Sequence, residues 1–98
     1  MDDTSTRDCI QQHADAIVRS DLDAVTADFC EALRPRVPQI AQILPQPVTT
    51  AHVLSVEVGA DESVAMIRYS GDSGSVTVRL LWRDEGGRPV IFDAAPAA

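Results

Sequence analysis

Residues 48–93 contain four stretches in which apolar and polar side chains alternate, and short turn sequences separate them. The turns lie around Ala60-Asp61, Asp72-Ser73 and Gly86-Gly87, where Gly, Asp and Ser favour tight hairpins. Alternation of this kind is typical of strands with two different faces. The pattern therefore predicts an antiparallel four-stranded meander. We place its strands at about 48–58, 63–70, 75–84 and 89–93.

The core face of this sheet follows from the turn positions, because a hairpin loop fixes which residues lie opposite one another. On this register His52 lies opposite Tyr69, and Leu80 lies opposite Asp93. These side chains point to one side of the sheet, since side chains alternate along each strand. The other members of the face are apolar: Leu54, Val56, Ala65, Ile67, Val76, Val78, Trp82 and Ile91. We therefore assign this face to the hydrophobic core.

The opposite face of the sheet mixes apolar and arginine side chains. Its members include Val53, Met66, Arg68, Arg79, Leu81 and Arg83. A face that met only water would carry fewer large apolar residues, and protein interfaces favour this mixture. We therefore expect this face to be a contact surface.

The residues before the sheet carry the spacing of amphipathic helices. Ile10, Ala14, Ile17 and Val18 form one apolar stripe, and Asp21 is positioned to cap a second helix. We predict helices at about 5–19, 21–33 and 38–44. Helices followed by strands indicate the α+β class, with the N-terminal helices packed on the sheet.

Length and charge limit the partners that we expect. Ninety-eight residues suit a single domain, 1–98, and a net charge of −7 repels nucleic acid and anionic membranes. No apolar run approaches the roughly 20 residues of a membrane-spanning helix. The acidic start, Met1-Asp2-Asp3-Thr4, is not followed by the apolar segment of a signal peptide, so we expect a cytoplasmic location.

The two cysteines, Cys9 and Cys30, both lie on predicted helices. In a reducing cytoplasm we expect free, half-buried thiols. A disulfide is the alternative, although neighbouring helix axes about 8–10 Å apart make that bond awkward. Asp21, Asp23 and Asp28 are interpreted as helix-capping and dipole residues, so we expect no metal and no cofactor.

Two segments of the chain resemble NTF2-like (SnoaL-like, ketosteroid-isomerase-like) cone domains. The segment 16–25, AIVRSDLDAV, is similar to a helix junction of that family, with Ser20 where Gly is common. The segment 78–91, VRLLWRDEGGRPVI, is similar to the family's last hairpin and its D-G-R/K turn. The resemblance implies a short variant of a cystatin-like cone, in which a curved sheet surrounds a pocket. It also implies a small-molecule site at the open end and a homodimer through the outer sheet face.

Five residues are candidates for a pocket on the core face. His52 beside the Tyr69 phenol could orient a ligand or transfer a proton, and a buried Asp93 could act as a base. The alternatives are a structural His–Tyr pair and an exposed Asp93 at a strand end. Trp82 and Phe29 either line the same pocket or are plain core residues. His13, beside the apolar stripe of the first helix, is expected on the surface.

The sequence leaves two classes of function open. One is a homodimer that binds a small apolar molecule or serves as an interaction module. The other is an isomerase- or cyclase-like enzyme that acts on a small apolar carbonyl compound through His52, Tyr69 or Asp93. A pocket of roughly 300 Å³ or more would favour ligand binding or catalysis. A cone filled by Trp82, Phe29 and Leu80 would favour the interaction module.

Overall fold

The computed structural model describes residues 2–97. The three α-helices pack on one face of an open antiparallel sheet with strand order β1-β2-β3-β4, which confirms the predicted α+β fold. The elements are α1 (Asp3–Val18), α2 (Leu22–Ala27), a 3-10 helix (Glu31–Arg36), α3 (Val37–Ala41), β1 (Thr50–Val58), β2 (Glu62–Gly71), β3 (Gly74–Glu85) and β4 (Arg88–Pro96).

Side-chain and backbone caps fix both ends of α1. The Asp2 carboxylate accepts a hydrogen bond from the backbone N–H of Ser5 at 2.8 Å. At the other end Ser20 takes a left-handed conformation, with φ at 58°. Its N–H bonds to the carbonyl of Ile17, and the Asp21 N–H bonds to the carbonyl of Ala16. These two bonds form a Schellman cap, which turns the chain towards α2.

The second helix is shorter than predicted, because residues in the later part of the predicted range pair with the sheet. Asp21 caps α2 as expected, accepting from the Ala24 N–H at 3.2 Å. The helix ends at Ala27, and the backbones on either side of Phe29 bond to Ile91: Ile91 N–H to Asp28 C=O at 2.7 Å, and Cys30 N–H to Ile91 C=O at 2.8 Å. The rest of the predicted helix is the separate 3-10 helix, and α3 spans only Val37–Ala41.

The middle of the sheet has the predicted register. Ala65 lies opposite Leu80, and Ile67 lies opposite Val78. The Gly86-Gly87 turn also lies where expected, with φ values of 63° and 85° that glycine adopts readily. Two-residue turns therefore set the register of the β2–β3 and β3–β4 hairpins next to their loops.

A bulge at Leu54 makes the predicted register of β1 wrong at its beginning. Val53 lies opposite Ile67 and Ser55 lies opposite Met66, so Leu54 is an extra residue in the ladder. The extra residue exchanges the faces of the strand before it. His52 is consequently exposed opposite Arg68, and Val53 packs against the core instead of lying on the outer face.

A second bulge changes the face of Asp93. Trp82 lies opposite Ile91 as predicted, but Leu81 lies opposite Asp93, and Leu80 lies opposite Ala94. Phe92 is the extra residue on β4. Asp93 is therefore exposed on the outer face, and its predicted position on the core face is wrong. The strand also continues to Pro96, beyond the predicted end at about residue 93.

The core lies between the helices and the inner face of the sheet. Its strand residues are at most 2% exposed: Ala65, Ile67, Tyr69, Val78, Leu80, Trp82 and Ile91. The connection after α3 crosses the end of β2 at Gly71, where a Cβ atom would collide with the backbone carbonyl of Pro47. This close approach holds residues 43–47 over one end of the core.

Candidate functional site

A buried histidine on α1 is the most distinctive polar group of the interior. His13 is 2% exposed, and its Nδ1 lies 2.9 Å from Oδ2 of Asp28, just after α2. Arg88, at the start of β4, donates a hydrogen bond from its guanidinium to Oδ1 of Asp28, also at 2.9 Å. Both carboxylate oxygens therefore have partners, and the three side chains link α1, α2 and β4.

This contact assigns the proton of the ring to Nδ1. A carboxylate that holds a guanidinium is an acceptor only, so the imidazole nitrogen beside it must donate. In the neutral ring Nε2 then carries a lone pair and accepts hydrogen bonds. With the described residues 2–97, the His13 ring forms one hydrogen bond, the one from Nδ1 to Asp28.

Two aromatic rings hold the imidazole of His13 from the sides. Its ring centroid lies 6.0 Å from that of Phe29 and 5.5 Å from that of Trp82, both edge to face. The Trp82 indole is fully buried, and its Nε1 has no hydrogen-bond partner among the described residues. The packing and the Asp28 contact together fix the plane of the imidazole ring.

The His13 ring lines a narrow crevice between the helices and the sheet. We call it the His13 crevice; its other polar lining residue is Tyr69, and the rest are hydrocarbon side chains of the helices, the Ile43-Leu44 segment and β3. It has about 30 Å³ of room for the centre of a water-sized sphere. One water needs roughly 10–15 Å³ on this measure, so the crevice admits one or two.

Tyr69 is the one predicted polar site residue that lies in this interior. Burial raises the pKa of its phenol, and the negative charge of Asp28 raises it further. The phenol therefore stays neutral at physiological pH and neither repels nor attracts ions. Because His52 and Asp93 lie on the opposite face, the structure does not bring the three candidate catalytic residues together.

The predicted aromatic lining residues divide between the crevice and the closed core. Phe29 lines the His13 crevice, whereas Trp82 is packed beside His13 and is not among the lining residues. Phe29, Leu80 and Trp82 are 3%, 2% and 0% exposed. These three side chains fill the interior, and the remaining space is about a tenth of the roughly 300 Å³ of an ordinary ligand pocket.

The outer face of the sheet carries most of the predicted contact residues. Met66 lies opposite Arg79, Val64 lies opposite Leu81, and Arg68 lies opposite Thr77. We call the set Val64, Met66, Arg68, Arg79 and Leu81 the outer patch. Its three apolar members are half-buried and its two arginines are exposed. Neither arginine forms an ion pair with a residue between 2 and 97.

Arg83 also lies on the outer face, but its charge is already paired. Its guanidinium donates to Glu85 at 3.2 Å and lies 5.3 Å from the centre of the Phe92 ring. Both members of the ion pair are about half exposed, so the pair adds little stability. Arg83 therefore differs from the two arginines of the outer patch.

Cross-strand rows give the outer face a charge gradient. One row reads Glu57, Val64, Leu81, Asp93 and is acidic at both ends. The next row reads Ser55, Met66, Arg79, Ala95, and the third reads His52, Arg68, Thr77. Within these three rows the acidic groups lie at one end and the basic groups at the other, with the large apolar side chains between them. Arg83, which is paired with Glu85, lies beyond the acidic row.

The remaining chemistry of the described residues is sparse. No group of three or more His, Cys, Asp or Glu side chains among residues 2–97 is arranged to hold a metal ion. Cys9 and Cys30 are both free thiols, and burial raises the pKa of Cys9. Within the same residues no helix is long and apolar enough to cross a membrane.

The sequence prediction for His13 is wrong, because the residue is buried. It lies three residues after Ile10 and four before Ile17, so the helical period already places it on the apolar stripe. A polar side chain is expected at the surface, because burying an imidazole without a hydrogen-bond partner costs free energy. Its partner, Asp28, lies 15 positions further along the chain. Asp28 follows the last residue of α2, a helix that ends before the predicted residue 33.

Comparisons with protein-family models, with curated proteins and with solved structures give no match to this chain.

Proposed function

We propose that this domain is an interaction module that forms a homodimer through the outer patch. The observation that carries the proposal is a half-buried apolar centre flanked by two arginines that form no ion pair with residues 2–97, on a chain of net charge −7. The chain has more carboxylates than basic side chains, so a second copy can supply carboxylates that pair with these arginines. Arg is enriched at interfaces because its planar guanidinium pairs with carboxylates and packs on apolar groups.

The charge gradient favours a second copy of the chain as the partner. In a twofold dimer each face meets its own copy, so the face has to be complementary to itself. A twofold axis that runs across the strands between the Leu81 and Arg79 rows reverses the order of the rows. The acidic row of one copy then faces the basic rows of the other, and the apolar side chains meet at the centre.

The closed interior supports an interaction module over a pocket protein. Phe29, Leu80 and Trp82 fill the space that a ligand would take in an open cone. An isomerase- or cyclase-like function has less support, because His52 and Asp93 are exposed and lie across the sheet from Tyr69. Kinship with NTF2-like domains is part of the proposal and is supported by the order of helices and strands. A cytoplasmic location is also part of it, supported by the two free thiols.

Charge insertion into the outer patch tests the proposal. We expect Leu81→Asp and Met66→Asp each to reduce the molar mass from twice 10.5 kDa to 10.5 kDa, because a buried carboxylate at the centre of a dimer is strongly unfavourable. Size-exclusion chromatography with light scattering measures the mass. Leu54→Asp is the matched control, since Leu54 is exposed at the β1 bulge and lies outside the outer patch.

Two outcomes contradict this proposal. One is an unchanged dimer mass for both patch variants, which would put the interface elsewhere. The other is an equal loss of dimer in Leu54→Asp, which would make the effect one of charge alone. Circular dichroism of each variant checks that the fold is kept.

A further inference from the structure

His52 is the titratable group at the basic end of the outer face. It lies opposite Arg68 on β2, and both side chains are exposed. On the side of α1, Asp15 and Arg19 border the same open groove as His52, and the Arg19 guanidinium is 3.6 Å from the Asp21 carboxylate. The imidazole therefore has two guanidiniums and one carboxylate around it, and no excess of negative charge surrounds it within a single chain.

Two exposed carboxylates lie at the acidic end of the same face and on the same two strands. Glu57 is the β1 member of the acidic row, and Glu62 lies on β2 opposite Arg83. The guanidinium of Arg83 donates to Glu85 at 3.2 Å instead. Neither Glu57 nor Glu62 forms an ion pair with a residue between 2 and 97. Both carboxylates can therefore pair with a cation from another chain.

The twofold arrangement of the outer patch brings these two ends together. Arg68 and Glu62 lie equally far from the centre of the patch along β2, on opposite sides of it. A twofold axis that crosses the strands at this centre exchanges the two positions, so Arg68 of one copy faces Glu62 of the other. His52, beside Arg68 on β1, then lies over the end of the second copy that carries Glu57 and Glu62. Each dimer contains this arrangement twice.

We propose that His52 makes self-association pH-dependent, so that the dimer through the outer patch becomes tighter as the pH falls from 8 to 6. This regulation depends on the dimer of the proposed function. An imidazole gains its proton near pH 6.5, and the charged ring then meets carboxylates of the second copy. The dimer therefore binds this proton more tightly than the monomer does. By linkage, the gain is complete in acid below this range and is lost as the pH rises through it.

A dilution series of the unmodified protein at pH 8, 7 and 6 tests the proposal. Sedimentation equilibrium at fixed ionic strength gives the dissociation constant of the dimer at each pH. We expect this constant to fall about fourfold between pH 8 and pH 6, because two exposed ion pairs form and each contributes a factor of about two. Addition of salt should reduce the difference, since exposed charges are screened.

Two substitutions at His52 separate its charge from that of other titrating groups. His52→Gln is neutral and His52→Arg is charged throughout this range, so each should have one dissociation constant at all three pH values. The constant of His52→Arg should be the lower of the two. Both variants keep His13, the other histidine of the chain. A pH effect of the original size in His52→Gln would therefore overturn the proposal.

The same experiment distinguishes this proposal from the dimer on which it depends. A dimer whose dissociation constant is equal at pH 8 and pH 6 would overturn the role of His52 and leave the proposed function intact. A mass of 10.5 kDa at every pH and concentration would overturn the proposed function and the role of His52 with it. Circular dichroism at each pH checks that the fold is kept.

Discussion

The two faces of the same four strands have different levels of burial. On the inner face Ile67, Leu80 and Trp82 are at most 2% exposed and contact the helices. On the outer face Met66 and Leu81, their sequence neighbours, are only half-buried within the single chain. Because side chains alternate, each strand contributes equally to both faces. The inner face is complete in one chain, and the outer face is the one that a second copy would complete.

The largest expected effect is on the inner face. We expect Trp82→Ala to lower the free energy of unfolding by about 3–5 kcal/mol, because it removes a fully buried indole and leaves a cavity. Arg83→Ala, the next residue on the other face, should change it by less than about 0.5 kcal/mol, since its ion pair is half exposed. Urea unfolding followed by circular dichroism measures both. Similar losses in the two variants would remove the distinction between the faces.

A smaller effect is expected from charge on the outer face. Arg79→Glu should weaken self-association about tenfold or more, because an acidic group would then meet the acidic row of the partner. Arg36→Glu changes the net charge equally but lies in the 3-10 helix on the other side of the molecule. It should leave the dimer almost unchanged. Sedimentation equilibrium at fixed ionic strength compares the two, and equal weakening would argue against the charge gradient.

The smallest expected effect is a loss of stability at alkaline pH, and it comes from a residue of the inner face. Tyr69 is the only tyrosine, and burial raises the pKa of its phenol above the ordinary value of 10. The folded state then keeps a proton that the unfolded state loses. The stabilising contribution is complete below pH 10 and falls as the pH rises above it, by at most about 1.4 kcal/mol per pH unit.

Absorbance near 295 nm follows this phenol directly. We expect phenolate to form only together with loss of the circular dichroism signal, and Tyr69→Phe to remove the slope above pH 10. Ionisation at about pH 10 with the fold intact would show that the phenol is open to water.

The sequence predicts the centre of this sheet better than its outer strands. The β2–β3 ladder has no bulge, and its two-residue turn at Asp72-Ser73 leaves one register along its whole length. In β1 the neighbouring residues Val53 and Leu54 are both apolar, so the pattern does not say which one faces inward. The same ambiguity affects β4 at Ile91 and Phe92. In each strand a bulge decides which residue faces inward. The bulge depends on packing against other elements, and the pattern of a single strand carries no information about that packing.

The helical period of the sequence does not predict the contact between His13 and Asp28, for a related reason. The helical period allows His13 on the buried stripe, but its burial depends on a carboxylate from another element. Asp28 lies at the C-terminal end of α2, next to the bridge between Phe29 and Ile91, which joins residues far apart in the chain. Local patterns predict which elements form, and long-range pairing decides which polar groups meet.

The molar mass of the unmodified protein in solution tests the central claim most directly. Light scattering across a dilution series at physiological salt should give twice 10.5 kDa at high concentration and move towards 10.5 kDa as the protein is diluted. A mass of 10.5 kDa at every concentration would contradict the account, because the outer patch would then remain uncovered by a second copy.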